Sequence, residues 1–180
     1  MKPEFLQAVE QLKQWIAAGS VELTRQQMRK GVMHSSTETL CFRVKPLSEA
    51  ELQDISQLCP EPLPPAYFHL LREVGFGEFF IDEFRAAFDI FGIEELQQAA
   101  SHIAHEIAEE DEPTEDSFFM IGVHNSMGDW MGFCTSRTEP ENYEVFNHEV
   151  PIYCYAEDAF WKSFEDWVIS AVKSKGQETL

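Results

Sequence analysis

The stretch that most constrains the fold is a pair of apolar runs, Phe118–Val123 and Trp130–Cys134, separated by a short polar segment. Two runs of strand length joined by a few residues that include glycine are typical of a β-hairpin. Neither run alternates between apolar and polar residues, which predicts central strands covered on both faces. The connecting residues Asn125–Asp129 suit a plain turn, but a hairpin tip also suits binding, and both interpretations stay open.

The acidic charge of the chain limits the partners that it can bind. Its 180 residues include 32 Asp and Glu against 13 Lys and Arg, a formal net charge of −19. Such a surface disfavours nucleic acid and anionic membranes and favours a basic protein partner, although high charge also serves solubility alone. In the first 46 residues, by contrast, Lys and Arg outnumber the acidic residues. This basic part and the acidic remainder are expected to attract each other.

Length and residue usage predict one soluble domain with a substantial core, since 44% of the 180 residues are hydrophobic. The four cysteines stand far apart without a CxxC pair, which favours neither a disulfide framework nor a zinc site. Charges interrupt the N-terminal segment too often for a signal peptide, and no apolar run approaches a membrane span. We therefore expect a cytoplasmic protein without a cofactor.

Residues 1–60 are predicted to form a helix, a strand and a second helix that pack on the main body. Apolar residues recur at three- and four-residue spacing through residues 3–18, which is typical of an amphipathic helix. Residues 21–37 show little periodicity and are interpreted mainly as loop. Alternation in residues 40–45 predicts a half-buried strand, and a capping box of Ser48 with Glu51 starts the second helix.

After a proline-rich connector, residues 61–175 show helical and strand patterns that indicate a main domain. Their aromatic and aliphatic positions give most of these elements an apolar face. The predicted elements are a helix over 64–74, strands over 79–81 and 86–91, a helix over 93–107, the central hairpin, one or two strands within 143–155, and a helix over 158–173. The polar residues 176–180 are predicted to form a frayed tail.

No pattern in the chain predicts catalysis. Residues 105–109 resemble the HExxH zinc motif, but Glu109 replaces the second histidine and no third ligand is evident from the spacing. Ser126 lies in Asn-Ser-Met-Gly rather than in a GxSxG elbow, and nucleotide-binding glycine motifs are absent. Carboxylate pairs arise by chance among 32 acidic residues and predict nothing. We therefore expect neither a metal site nor an enzyme.

Five short motifs follow one another along residues 63–172 and carry a family resemblance. They are Leu-Pro with an aromatic and a Leu-Leu pair in 63–71, glycines at 75 and 77, Gly-Ile-Glu-Glu-Leu at 92–96, Gly-Asp-Trp at 128–130, and Ser-Phe-Glu-Asp-Trp at 163–167. Their order resembles the SUKH superfamily, which contains bacterial immunity proteins and yeast regulators of cell-wall assembly. Val74–Gly77 departs from the usual Asn-Gly-Gly, and the first 60 residues lie outside the pattern.

The resemblance implies an α+β fold with a central mixed, largely antiparallel sheet flanked by helices, to which this chain adds an N-terminal helical segment. It also implies a non-enzymatic protein that binds and neutralises a cognate secreted toxin, often a nuclease. An acidic face would cover the toxin's substrate-binding surface and mimic nucleic-acid phosphate. The yeast relatives imply the alternative, a cytoplasmic regulatory or scaffolding protein.

The candidate partner-binding residues combine the acidic segment 109–116 with residues beside turns. A block of like charge also stays solvated without any partner, so both hypotheses hold for this segment. Trp130 and Tyr143 lie next to turns and polar residues, which favours them as aromatic anchors, with burial in the core as the alternative. The candidate contact set is Glu109, Glu110, Asp111, Glu112, Glu115, Asp116, Asp129, Trp130 and Tyr143.

Overall fold

The structure is a computed structural model that describes residues 1–29, 31–110, 114–125 and 128–177. Within these residues the chain forms one seven-stranded sheet, in which the strands lie in sequence order and every neighbouring pair is antiparallel. The strands are β1 Ser20–Arg29, β2 Val32–Lys45, β3 Phe76–Ile81, β4 Phe88–Ile90, β5 Phe118–His124, β6 Asp129–Cys134 and β7 Tyr143–Phe146.

Six α-helices and one 3₁₀ turn accompany the sheet in the described part of the chain, which confirms the predicted α+β class and the N-terminal helix. Every strand pairing is antiparallel, so the sheet is not mixed. The helices are α1 Pro3–Ala18, α2 Glu49–Leu58, α3 Pro65–Glu73, α4 Ile93–Glu109, α5 Tyr155–Asp158 and α6 Phe164–Lys173, with the 3₁₀ turn at Ile152–Cys154.

The predicted central hairpin is confirmed as β5 and β6, and it divides the core into two layers. Phe119 and Ile121 belong to the core that packs with α1, α3 and α6, whereas Met120 between them belongs to the core under α4. Successive side chains of a strand point to opposite faces, so these two cores lie on opposite faces of the sheet. Both strands have a neighbour on each edge, which explains why their residues are apolar without alternation.

The local signals at the helix ends are also confirmed. Helix α1 ends where Gly19 adopts the left-handed conformation with φ of 82°. At the start of α2, the Glu51 N–H donates to Ser48 Oγ at 3.3 Å, and the Ser48 N–H donates to Glu51 Oε2 at 2.8 Å. Both halves of the capping box are therefore present.

Two predictions about the strands are wrong. Residues 21–37, interpreted mainly as loop, instead form β1 and much of β2, which pair over ten positions from Ser20↔Cys41 to Arg29↔Val32. Residues 32–39 are all exposed, so this ribbon has no buried face that would impose a hydrophobic period. In the segment 150–155, a 3₁₀ turn and the short helix α5 replace the predicted strand, following Pro151.

The last helix begins later than predicted, at Phe164 rather than near 158. Ser163 caps it by accepting the N–H of Asp166 on Oγ at 3.2 Å. The preceding residues run alongside β7, where Tyr143 and Lys162 exchange backbone hydrogen bonds of 3.1 and 3.2 Å. Phe160, in this segment, is 86% exposed.

Glycine at position 77 permits the close pairing of β3 with β2. Its φ is 127°, and a Cβ built there would lie 2.2 Å from the Arg43 carbonyl oxygen. Gly19 offers a matched control, because it also has a positive φ but a Cβ there meets nothing within 4 Å. Gly19→Ala should lower the free energy of unfolding by about 1–2 kcal/mol. In urea unfolding, Gly77→Ala should lower the free energy of unfolding several-fold more than Gly19→Ala does. Equal losses in the two variants would contradict this packing.

Glu144 on β7 gives the stability a specific pH dependence. The side chain is 4% exposed, and burial raises its pKa, although Lys162 Nζ lies 3.9 Å from Oε1. A carboxyl with a raised folded pKa contributes stability below its unfolded pKa of about 4.3, and loses that contribution as pH rises through the folded value. Glu144→Gln should therefore raise the melting temperature more at pH 7 than at pH 4. The exposed neighbour Glu141, changed to Gln, should show no such difference.

Candidate functional site: an acidic surface around Trp130

The C-terminal half of α4 presents a polar stripe to solvent. His102, Glu106 and Glu109 recur at spacings of four and three residues, so they share one face of the helix, and all three are exposed. His102 Nδ1 lies 3.9 Å from Glu106 Oε1. Ala99 and Ile103, which lie one or two helical turns from Glu106, are buried against the sheet, so the stripe borders the buried face of the helix. This packing fixes the direction of the stripe relative to β5 and β6.

Trp130 of β6 lies beside this stripe. Its indole is half-buried, with a centroid 5.8 Å from the His102 ring and 6.1 Å from the Phe91 ring. An aromatic ring that is held on its flanks and partly exposed is a suitable anchor for a protein partner. We call the set formed by His102, Glu106, Glu109, Glu110, Glu115 and Trp130 the acidic surface.

The predicted acidic segment divides into exposed and anchored carboxylates. Glu109 and Glu115 are exposed. Glu110 is half-buried and accepts the N–H of Ile152 on Oε1 at 2.9 Å, while Asp116 accepts the hydroxyl of Ser136 on Oδ1 at 2.8 Å. These two bonds hold both ends of the segment in place. The predicted contacts Asp111 and Glu112 lie outside the described residues.

Asp129 and Tyr143 offer a docking partner almost no surface. Asp129 is 3% exposed, and its Oδ1 accepts the backbone N–H of His148 at 3.2 Å and lies 2.8 Å from His148 Nδ1. Tyr143 is fully buried, with its ring 5.4 Å from Phe164 and 5.1 Å from Trp167. Asp129 therefore joins the β5–β6 turn to the loop after β7, and Tyr143 is a core residue.

The charge on α4 is placed where it destabilises the helix. Glu106 and Glu109 lie in its last turn, which contains no base, and Glu110 follows directly. The C-terminal end of a helix is negative, so each carboxylate there costs about 0.3–1 kcal/mol. Burial, followed by the carboxylates of Asp129, Glu106 and Glu110, raises the pKa of Tyr155 to about 12. Negative charge is therefore concentrated at this end of α4, and it acts on the buried Tyr155 nearby.

Sequence reasoning considered Glu106 only as part of an incomplete zinc motif in residues 105–109, and it did not connect Glu106 or His102 with Trp130. The stripe on α4 is visible in the sequence as helical spacing, but its contact with β6 depends on tertiary packing.

Among the residues that the structure describes, no group of three or more His, Cys, Asp or Glu residues could hold a metal ion. Over those same residues, no helix combines the length and apolar character needed to cross a membrane.

A cleft between the starts of α3 and α6 is the other concave feature of interest. It is lined by apolar residues such as Leu63, Pro64 and Phe164. Its carboxylate Glu165 already accepts the backbone N–H of Lys2 at 2.5 Å, and Arg137 of its rim lies over the Trp161 ring at 4.8 Å. Glu165 and Arg137 of the cleft are thus engaged within the chain, whereas Glu109 and Glu115 of the acidic surface are exposed.

The described residues define an α+β protein with one antiparallel sheet and helices on both faces. The chain belongs to the SMI1/KNR4 family (SUKH-1), whose family model matches residues 46–170. It is also similar to the immunity protein RhsIB of Dickeya dadantii (strain 3937), at 23% identity over 136 residues, which covers 76% of this chain and 80% of that relative. No solved structure gives a significant match. The resemblance seen in the sequence is confirmed, and α1 and the whole β1–β2 ribbon lie outside the matched residues.

The position of Glu109 leads to a stability prediction. Glu109→Lys replaces a carboxylate at the negative end of α4 with a base, so it should raise the melting temperature by about 1–4 °C. Glu94 lies in the first turn of the same helix, where a carboxylate is favourable, and Glu94→Lys should lower the melting temperature. Differential scanning calorimetry at low salt measures both. Equal shifts in the two variants would contradict the dipole argument.

Proposed function

We propose that this protein is an immunity protein that neutralises a basic toxin domain by stoichiometric binding through the acidic surface, without catalysis. The family match and the similarity to an immunity protein support this class of function. The formal net charge of −19 supports a basic partner, and we place the encounter in the cytoplasm.

The observation that carries the proposal is the run of carboxylates at the C-terminal end of α4. Glu106, Glu109 and Glu110 reduce the stability of the helix, so their presence there favours a role outside folding. They follow His102 along the helix, and the His102 ring lies 5.8 Å from that of Trp130, which is partly exposed and also contacts Phe91. Charges on an element that supports an aromatic ring match the arrangement of binding hot spots.

In this mechanism the carboxylates and Trp130 have different roles. The carboxylates attract and orient a basic toxin over a distance, which raises the association rate at low salt. The bonds made by Glu110 and Asp116 hold these two carboxylates in place before the partner arrives, so less entropy is lost when they bind. Trp130 then fills a pocket of the toxin and slows dissociation. For a nuclease toxin, the carboxylates would occupy the positions of substrate phosphates.

The test begins with purification of the protein from its native host at low and at high salt. A basic protein domain should be retained at low salt and released at high salt, and co-expression with this chain should abolish its toxicity. Recovery of a cell-envelope or signalling complex without a toxic domain would overturn the proposal in favour of a regulatory protein.

Variants of α4 then locate the binding surface on the recovered toxin. The double variant Glu106→Gln with Glu109→Gln should slow association about tenfold and flatten its salt dependence, because two exposed charges are lost. The matched control, Glu94→Gln with Glu95→Gln, removes the same charge from the other end of the helix and should have little effect. Trp130→Ala should mainly raise the dissociation rate. Equal effects of the two double variants would show that only net charge matters.

A further inference from the structure

The β1–β2 ribbon projects from the sheet without a third strand. Strand β2 pairs with β3 only from Cys41 to Lys45, so the remaining part of β2, residues 32–40, has β1 as its neighbour. We call residues 20–29 and 32–40 the arm. At about 3.3 Å per residue, nine residues of β2 extend about 30 Å. The family match begins at residue 46, after the arm.

Most of the arm is exposed to solvent. Helix α1 covers only its base, where Val21 and Leu40 are buried. At its far end, Met28 is 70%, Val32 57% and Met33 56% exposed. A two-stranded ribbon with neither a third strand nor a packed face is at best marginally stable in water. The arm therefore gains stability from whatever adds a strand to it.

The outer edge of β1 is open for such pairing. The Glu22 carbonyl accepts a hydrogen bond from Lys175 Nζ, so it points away from β2. Because peptide groups alternate in direction along a strand, Thr24 and Gln26 also direct their N–H and C=O groups to the outer edge. Strand β1 contains no proline or glycine, and its register with β2 shows no bulge over ten pairs.

The opposite edge of the sheet shows how this protein protects a strand. The Tyr143 N–H donates to the Lys162 carbonyl at 3.1 Å, and the Lys162 N–H donates back at 3.2 Å, so the chain itself covers β7. Among the described residues, no strand covers the outer edge of β1. Natural proteins protect exposed edges with charges, prolines or bulges, and a long, regular edge is a site of strand pairing.

The charges of the arm suit a second copy of this chain. Arg25 and Glu38 form an ion pair of 3.0 Å within the arm, and the neighbouring Thr24, Gln26 and Thr37 are uncharged. In an antiparallel contact of two β1 edges, no unpaired like charges therefore face each other near the centre of the interface. The acidic surface lies near β5 and β6, four to five strand spacings or about 19–24 Å from β1, which exceeds the Debye length of about 8 Å.

We propose that two copies of this chain pair antiparallel through the outer edges of β1, so that two seven-stranded sheets become one continuous sheet. A two-fold contact of this kind is self-complementary and closed. Each arm then belongs to a four-stranded unit, and the free peptide groups of Thr24 and Gln26 are satisfied. Both acidic surfaces stay accessible, so the pairing is independent of the proposed toxin binding.

Sedimentation velocity across a concentration series tests the pairing on the full chain. The species should shift from 20.7 kDa at low concentration to twice that mass at high concentration. The double variant Thr24→Lys with Gln26→Lys should raise the dimer dissociation constant tenfold or more, because like charges then face each other across the strands. A chain that stays at 20.7 kDa up to several hundred micromolar overturns the proposal.

A matched control separates this effect from net charge. Gln97→Lys with Gln98→Lys adds the same charge on the exposed face of α4. Added lysines reduce the repulsion between two acidic chains, so this control should dimerise at least as well as the wild type. Weakening by both pairs of lysines would contradict an interface at β1.

A backbone variant and hydrogen exchange give independent readouts. Gln26→Pro removes an N–H that points to the outer edge and leaves the β1–β2 ladder intact, so it should abolish the dimer and retain the circular dichroism of the monomer. The Thr24 and Gln26 amides should exchange more slowly as protein concentration rises. A dimer in which these amides exchange at an unchanged rate would place the interface elsewhere and overturn the proposal.

Discussion

The structure depends on the two-sided burial of the β5–β6 hairpin. Phe119 and Ile121 pack under α1, α3 and α6, while Met120 packs under α4, so one strand holds both layers of helices in place. Burial on both faces explains why the hairpin tolerates few polar residues. The position of α4, and with it the direction of its acidic stripe, follows from the side of β5 that faces Ala99 and Ile103.

The stability of this core allows charge to be placed unfavourably at the surface. The aromatic rings of Tyr67, Phe133 and Phe164 pack at centroid distances of 5.6 to 5.7 Å on the face opposite α4. Buried aromatic contacts of this kind each add about 0.5–1.5 kcal/mol beyond the area that they bury. Against that gain, the carboxylates at the end of α4 cost little, so the helix can keep an unfavourable charge distribution.

The elements that carry a strong signal within a few residues of sequence were predicted correctly. The capping box at Ser48, the stop at Gly19 and the uninterrupted apolar runs of the hairpin each act within a few residues, and the structure confirms all three. The β1–β2 ribbon was missed because polar strands have no hydrophobic period when neither face is buried. Of the residues in the acidic surface, Glu109 and Glu115 were already candidates from the sequence and are exposed in the structure. The contact between Trp130 and His102 joins distant parts of the chain and has no local signal.

The two edges of the sheet differ in what can be added to them. At β7, the Tyr143–Lys162 bridge leaves no room for another strand, so the end of the sheet nearer the acidic surface has a fixed width. At β1 the chain can gain, lose or lengthen strands without disturbing a residue of the core under α4. Such a sheet grows from one side only, and descendants of one ancestor can differ widely in their N-terminal strands while they retain the same opposite end.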